Sequence, residues 1–234
     1  MVYNLGSNAL RWRSLFARHA FINSRREEVQ VWDSPTSNQV DTDNANGGAT
    51  GAGGSGQIFL KVDNETNGSR AIINSRPAQA NDGTTASNND WTPSLNPYWR
   101  MEMEINSAVT LTEVFVGLRA AFGTALPAAT DHHIGFKKTN AASNAWFASN
   151  GGGAATTTTS LSASIAASNR HVLEFCMHDT SIEFFVDGVL VATHTTNLPT
   201  SDLKWTIMLV VNGVGAVTNN MMTAGKLILQ EDPD

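Results

Sequence analysis

Ser181-Ile-Glu-Phe-Phe-Val-Asp-Gly-Val-Leu-Val-Ala-Thr-His194 decides the fold class. Two runs of β-branched and aromatic residues flank Asp187-Gly188, a pair that tolerates the positive φ values of a two-residue type I′ turn, so the stretch predicts a β-hairpin. Upstream, His171-Val-Leu-Glu-Phe175 has the same texture, and downstream Trp205-Thr-Ile-Met-Leu-Val-Val-Asn212 repeats it. Further out, short apolar or alternating runs separated by Gly, Asn, Ser, Thr and Pro predict strands over 57–62, 69–75, 98–105, 112–119, 132–137, 144–148, 172–177, 181–186, 189–195, 206–212 and 226–230. Trp99-Arg-Met-Glu-Met-Glu-Ile105 alternates with a two-residue period and should have one apolar and one wet face. Many short strands with frequent turns specify a sandwich or barrel.

Composition agrees. Charged residues make up only 15% of the 234 positions, and small polar residues fill the gaps between apolar runs. No apolar run reaches the ~18 residues of a membrane-spanning helix, so no membrane partner is expected. Arg11, Arg13 and Arg18 interrupt the start too early for a signal peptide. Cys176 is the single cysteine, which excludes an intrachain disulfide; inside an apolar run it reads as a buried, inert thiol.

The net charge of −6 hides an asymmetry. Residues 1–26 carry five arginines and no acid, leaving −11 for the remainder. Residues 1–33 therefore read as a basic aromatic arm, extended or partly helical, in which Arg11, Trp12, Arg13, Leu15, Phe16, Arg18 and Phe21 are candidates for docking on a partner. Residues 34–56 hold almost nothing apolar and read as a Gly/Asn/Ser-rich linker. The sandwich is expected over 57–231, with 232–234 as a tail.

The run from Ser181 to Leu198-Pro199, together with Asn96-Pro-Tyr-Trp-Arg-Met-Glu-Met-Glu-Ile105 and Val114-Phe-Val-Gly-Leu118, resembles the concanavalin A-like jelly rolls, including laminin-G-like modules. The resemblance implies an all-β, antiparallel two-sheet jelly-roll sandwich. Such domains occur in lectins, glucan hydrolases and structural proteins of tailed bacteriophages, and the Ala/Thr/Asn/Gly-rich texture is most similar to the phage group.

Glycoside hydrolysis needs paired carboxylates about 5–9.5 Å apart. Glu102 and Glu104 share one strand face, but the retaining glucanases of this fold carry Glu-x-Asp-x-x-Glu, and Glu102-Met-Glu-Ile-Asn-Ser lacks the central Asp and the distal Glu. The expectation is accordingly a non-enzymatic chain. No Gly-x-Ser-x-Gly elbow or phosphate loop occurs. His132 and His133 are adjacent on a predicted strand and point to opposite faces, so they do not share a metal ion. Asp41-Thr-Asp43-Asn44 is the nearest approach to a calcium cluster, and no cofactor is expected. Five arginines in a net-acidic chain are a weak nucleic-acid footprint.

The leading expectation is a virion structural protein: a capsid decoration, cement or head-fibre subunit, forming a homo-oligomer and docking through its arm on the major capsid protein or other virion subunits. The alternative is a lectin-like module in a host-recognition fibre, binding a glycan through Trp91, Trp146 and Asn144.

Overall fold

A computed structural model describes residues 26–30, 40–45, 48–54, 57–62, 69–75, 91–105, 112–121, 123–139, 145–161, 164–165, 169–211 and 220–231. The strands among them are Arg26–Gln30 (β1), Val40–Ala45 (β2), Gly48–Gly54 (β3), Gln57–Val62 (β4), Arg70–Ser75 (β5), Tyr98–Ile105 (β6), Thr112–Arg119 (β7), His132–Lys138 (β8), Trp146–Gly152 (β9), Thr156–Ser160 (β10), Arg170–His178 (β11), Ser181–Val186 (β12), Val189–His194 (β13), Lys204–Val211 (β14) and Asn220–Glu231 (β15). A single 3₁₀ turn, Pro93–Leu95, is the only helical element among the described residues.

The strands form two antiparallel sheets. The first runs β13-β12-β11-β6-β15-β4-β3, with β1 pairing the second half of β15 where β4 pairs the first. The second runs β10-β9-β8-β7-β14-β5-β2. This is the two-sheet sandwich that the hairpin and the strand spacing predicted. Every expected strand from Gln57 onward has a counterpart within a few residues.

Alternation fills the core. On β6, Trp99, Met101 and Met103 point between the sheets; on β11, Leu173, Phe175 and Met177 do the same. Trp99 stacks on Phe175 at 5.3 Å within its own sheet, and Phe136 of β8 meets Phe184 of β12 edge-on at 5.6 Å across the sandwich.

The hairpin turn has Asp187 at φ 53° and Gly188 at φ 78°, the type I′ geometry. Asp187 also ties the turn to β11. Its carboxylate accepts from the Val172 N–H (2.8 Å) and pairs with His171 Nδ1 (2.8 Å). Burial works to raise the acid, but these hydrogen bonds outweigh it and hold Asp187 below the ordinary carboxylate range.

Residues 34–56 differ from their reading as a linker. They contain β2, an edge strand on β5, and β3, an edge strand on β4. Edge strands are held by backbone pairing to a single neighbour, so Gly, Thr and Asn suffice there and no apolar pattern announces them. Arg26–Gln30, expected within the arm, is β1.

One open side of the sandwich is closed by polar groups. His194 at the β13 edge bonds Asn150 of β9 and accepts from the Thr159 hydroxyl of β10 (2.8 Å). Asn150 Nδ2 donates to the carbonyls of Thr196 (2.9 Å) and Asn197 (2.7 Å). Asn150 and His194, both buried, thus join the two sheets at this edge.

Candidate functional site

The outer face of the first sheet collects the charged side chains. Because Trp99, Met101 and Met103 take the inner face of β6, Tyr98, Arg100, Glu102 and Glu104 must take the outer one, where all four are half-buried. The register sets Glu174 of β11 opposite Arg100, Val172 opposite Glu102, and Cys176 opposite Tyr98.

Three contacts follow from that register. The Tyr98 hydroxyl donates to Glu174 Oε1 at 2.7 Å, Arg100 Nε lies 3.3 Å from the same oxygen, and Arg170 Nη2 lies 3.2 Å from Glu102 Oε2. Burial, reinforced by the bond to Glu174, pushes the Tyr98 hydroxyl far above its ordinary range, so it stays a neutral donor. The ion pairs are exposed enough to be worth under ~1 kcal/mol each, but they hold carboxylates and guanidiniums in fixed relation on one surface. Glu102 and Glu104, two residues apart on one strand, are separated by roughly 6.6 Å along the chain.

At the end of this face is a cavity of about 360 Å³ bordered by Asn96, Tyr98, Cys176, His178, Gln230 and Glu231. Cys176 was expected in the apolar core. Its neighbours Phe175 and Met177 occupy that core, so alternation turns Cys176 outward to the cavity, half-buried. Burial raises its thiol to about 11, which keeps it protonated and unreactive at neutral pH.

The second sheet has a different outer face. Phe115, Met208, Val210 and Ile72 form a small apolar cluster there, beside fully buried His133. The His133 ring bonds the Asp131 carbonyl through Nδ1 (3.0 Å) and the Ser149 hydroxyl through Nε2 (2.9 Å). A carbonyl only accepts, so Nδ1 carries the hydrogen and Nε2 accepts from Ser149. Burial lowers His133 to about 4, so it is neutral at physiological pH. Gly117 and Gly135 are paired across β7 and β8, with Gly135 against the Phe115 ring. Arg119, bonded to Asp131 (3.3 Å) and to the Ala125 carbonyl (3.1 Å), fixes the loop between these strands.

His132 and His133 point to opposite faces of β8: His132 Nδ1 accepts from the Thr200 N–H (3.3 Å), far from the His133 partners. No group of three metal-ligating side chains occurs among the described residues. The glycan candidates require correction. Trp91 (0% exposed) and Trp146 (2%) belong to the core, Trp91 through its bridge to Leu203 and Trp146 through the inward phase of β9, and neither offers a ring face to a sugar. Asn144 lies outside the described residues, as do Arg11, Trp12, Arg13, Leu15, Phe16, Arg18 and Phe21. Sequence reasoning saw Glu102 and Glu104 but missed Tyr98, Glu174 and Arg170 as their company. The alternation was visible, but which strand pairs with β6 was not.

No family model matches the chain, and no curated protein matches its sequence. Solved structures do match. The β-glucanase of Bacillus licheniformis is similar at 12% identity with a TM-score of 0.63, over 87% of this chain and 97% of that one. An immunostimulatory antigen and pseudo β-1,3-glucanase of Mycobacterium tuberculosis aligns at 10% identity and 0.63, covering 88% and 98%. A protein of unknown function from Shewanella oneidensis aligns at 9% and 0.61, covering 100% and 97%. At such identities the likeness establishes the fold: a concanavalin A-like jelly roll of the glucanase and lichenase type.

It also corrects the expectation of a non-enzymatic protein. That reading rested on a missing carboxylate spacing, whereas further structures of the same fold are named as β-1,3-glucanases or laminarinases, so the fold is one that glycoside hydrolases also have and gives no ground for excluding an enzyme. These matches carry no link to a bacteriophage particle.

Proposed function

We propose that this chain is a carbohydrate-recognising jelly roll that binds a β-linked glucan across the outer face of its first sheet. The observation that carries the reading is the row Tyr98, Arg100, Glu102 and Glu104 on one face, in which Tyr98 and Arg100 are bound to Glu174, and Glu102 to Arg170, before any ligand arrives. Vicinal sugar hydroxyls need closely spaced donors and acceptors, and charge-assisted hydrogen bonds are the strong ones. Side chains already held by their neighbours lose less freedom on binding. The named glucanases among the similar folds supply the choice of β-1,3- and β-1,3-1,4-linked chains as probes.

Calorimetry with laminarin and lichenan oligosaccharides tests it. Binding should weaken at least tenfold in Arg100→Ala and in Glu102→Gln, and unchanged affinity in both variants would refute the assignment of the face. Reducing ends assayed in the same samples separate turnover from binding: release that disappears in Glu102→Gln or Glu104→Gln would make the face hydrolytic.

A second reading is favoured by the charge asymmetry alone, five arginines and no acid in residues 1–26 interleaved with Trp12, Leu15, Phe16 and Phe21. Under it the chain is a virion subunit docked through that segment. Removing residues 1–25, which spares β1, should abolish attachment to particles, and full attachment by the truncated chain would end this reading.

A further inference from the structure

On one side of the sandwich the terminal strands are β13 of the first sheet and β10 of the second, tied together through His194, Asn150 and Thr159. Each comes from a stretch without formal charge. Neither Asp, Glu, Lys nor Arg occurs from Thr139 to Asn169 or from Gly188 to Ser201, in a chain with 15% charged residues and a net charge of −6. The fold brings these two stretches side by side, with Thr158, Ser160, Thr193 and Thr195 exposed along the pair of edges. Depletion of charge distinguishes the centre of a protein–protein interface from the rest of a surface.

β13 also keeps apolar side chains in the open. Val189 (63% exposed) and Leu190 (50%) are the large apolar residues left exposed among the described residues. The strand pairs β12 on one side and no strand on the other among the described residues, so the amides and carbonyls along its outer side are available to a further strand. Its one irregularity, a bulge at Val191, turns that side chain toward the core and leaves the two residues before it outside. Edge strands are ordinarily blunted by charge or by Pro. β1 has Arg26, Glu27 and Glu28, and β2 has Asp41 and Asp43, but β13 has neither device.

The same residues select the strand that fits. In a twofold pair each strand faces its own copy, so a charged residue near the axis meets a like charge, which is destabilising. The two aspartates bar β2 from such self-pairing, whereas β13 is neutral. A charged partner strand would find no countercharge along Val189–Thr193. We infer that β13 is a self-association surface: two copies of this chain pair their β13 edges antiparallel about a twofold, joining two first sheets into one and burying Val189 and Leu190 of each. Because the outer face of that sheet carries Tyr98, Arg100 and Glu102, the pair sets two copies of the face side by side. The inference does not need the glucan reading of that face.

Sedimentation velocity on the full chain over a wide range of concentration tests it, with hydrogen exchange to locate the contact. The parent should run as a species of two chains at the upper concentrations, where the outward-facing amides of β13 should exchange at least tenfold more slowly than at the lowest. Leu190→Lys and Thr193→Lys each change an exposed side chain, leave the fold intact and place a charge on the edge; each should weaken association at least tenfold. Thr130→Lys, exposed in the loop between β7 and β8, should leave association unchanged. A parent that remains a single chain throughout overturns the inference. So does a dimer that both β13 variants leave intact, one that Thr130→Lys weakens equally, or one that forms without slowing exchange along β13.

Discussion

Lowering the pH from 7.5 to 4.5 should destabilise the sandwich largely through one residue, His133. Its ring is fully buried between Ser149 and Asp131, edge-on to Phe115 at 6.1 Å. Gly151 leaves the room for it: a Cβ there would come within 2.6 Å of the imidazole. Both ring nitrogens already have partners in the neutral tautomer, so protonation gains nothing but a buried charge. Burial accordingly lowers the group from 6.5 to about 4.

The sign follows from linkage. In the unfolded chain the imidazole takes its proton near 6.5, whereas in the folded chain it does so only near 4, so the unfolded state binds more protons between those values. Stability is complete above 6.5, falls by about 1.4 kcal/mol per pH unit as pH drops below it, and levels off below 4, a total of ~3 kcal/mol. Urea unfolding followed by tryptophan fluorescence at pH 7.5 and 4.5 measures it. His194, also lowered by burial, tilts the curve the same way, so the informative quantity is the difference between the parent and His133→Gln. The variant should be less stable at pH 7.5 but lose about 2–3 kcal/mol less on acidification. Equal pH dependence in the two proteins would refute the assignment.

Gly117→Ala and Gly188→Ala should diverge. At Gly117 (φ 151°) a Cβ would strike the Ile134 carbonyl oxygen and come 2.6 Å from Gly135 Cα, both backbone, so a loss of at least ~3 kcal/mol is expected in urea melts. At Gly188 nothing lies within 4 Å and only the positive φ opposes alanine, a cost of ~1 kcal/mol. Asp187→Ala, which frees the hairpin turn from Val172 and His171, should cost ~1–2 kcal/mol by the same assay, and a neutral result would show that the turn holds itself. Trp146→Ala should cost ~3–5 kcal/mol of stability yet leave the glycan affinity of the folded protein unchanged; selective loss of binding would restore Trp146 as a ligand contact.

The parts of the fold that were legible in the sequence are those with a strong local signal. Asp187-Gly188 specifies its turn by φ alone, and the alternation of β6 exposes both the buried Trp99-Met101-Met103 stripe and the polar row opposite. Strands β1, β2, β3 and β10 carried no such signal, because their mostly polar or glycine-rich sequences show no apolar stripe and their pairing to a neighbour is made by the backbone. The tryptophans were misjudged for a related reason. A Trp beside Asn looks like a sugar platform in one dimension, but the inward phase of β9 settles where Trp146 goes. His133 was visible only as half of a histidine pair; its partner Ser149 lies on another strand, and no local pattern announces a cross-strand hydrogen bond. The site is a register effect in the same sense, since Glu174 reaches Tyr98 and Arg100 only because β11 pairs with β6 as it does.

Backbone amide shifts recorded during titration with a β-1,3-linked glucan oligosaccharide test the central claim most directly. The account predicts saturable perturbations confined to Tyr98–Glu104 and Arg170–Cys176 on the first sheet, with Phe115, His133 and Ser149 on the second sheet unmoved. Perturbations centred on the second sheet, or none at saturating sugar, would contradict it.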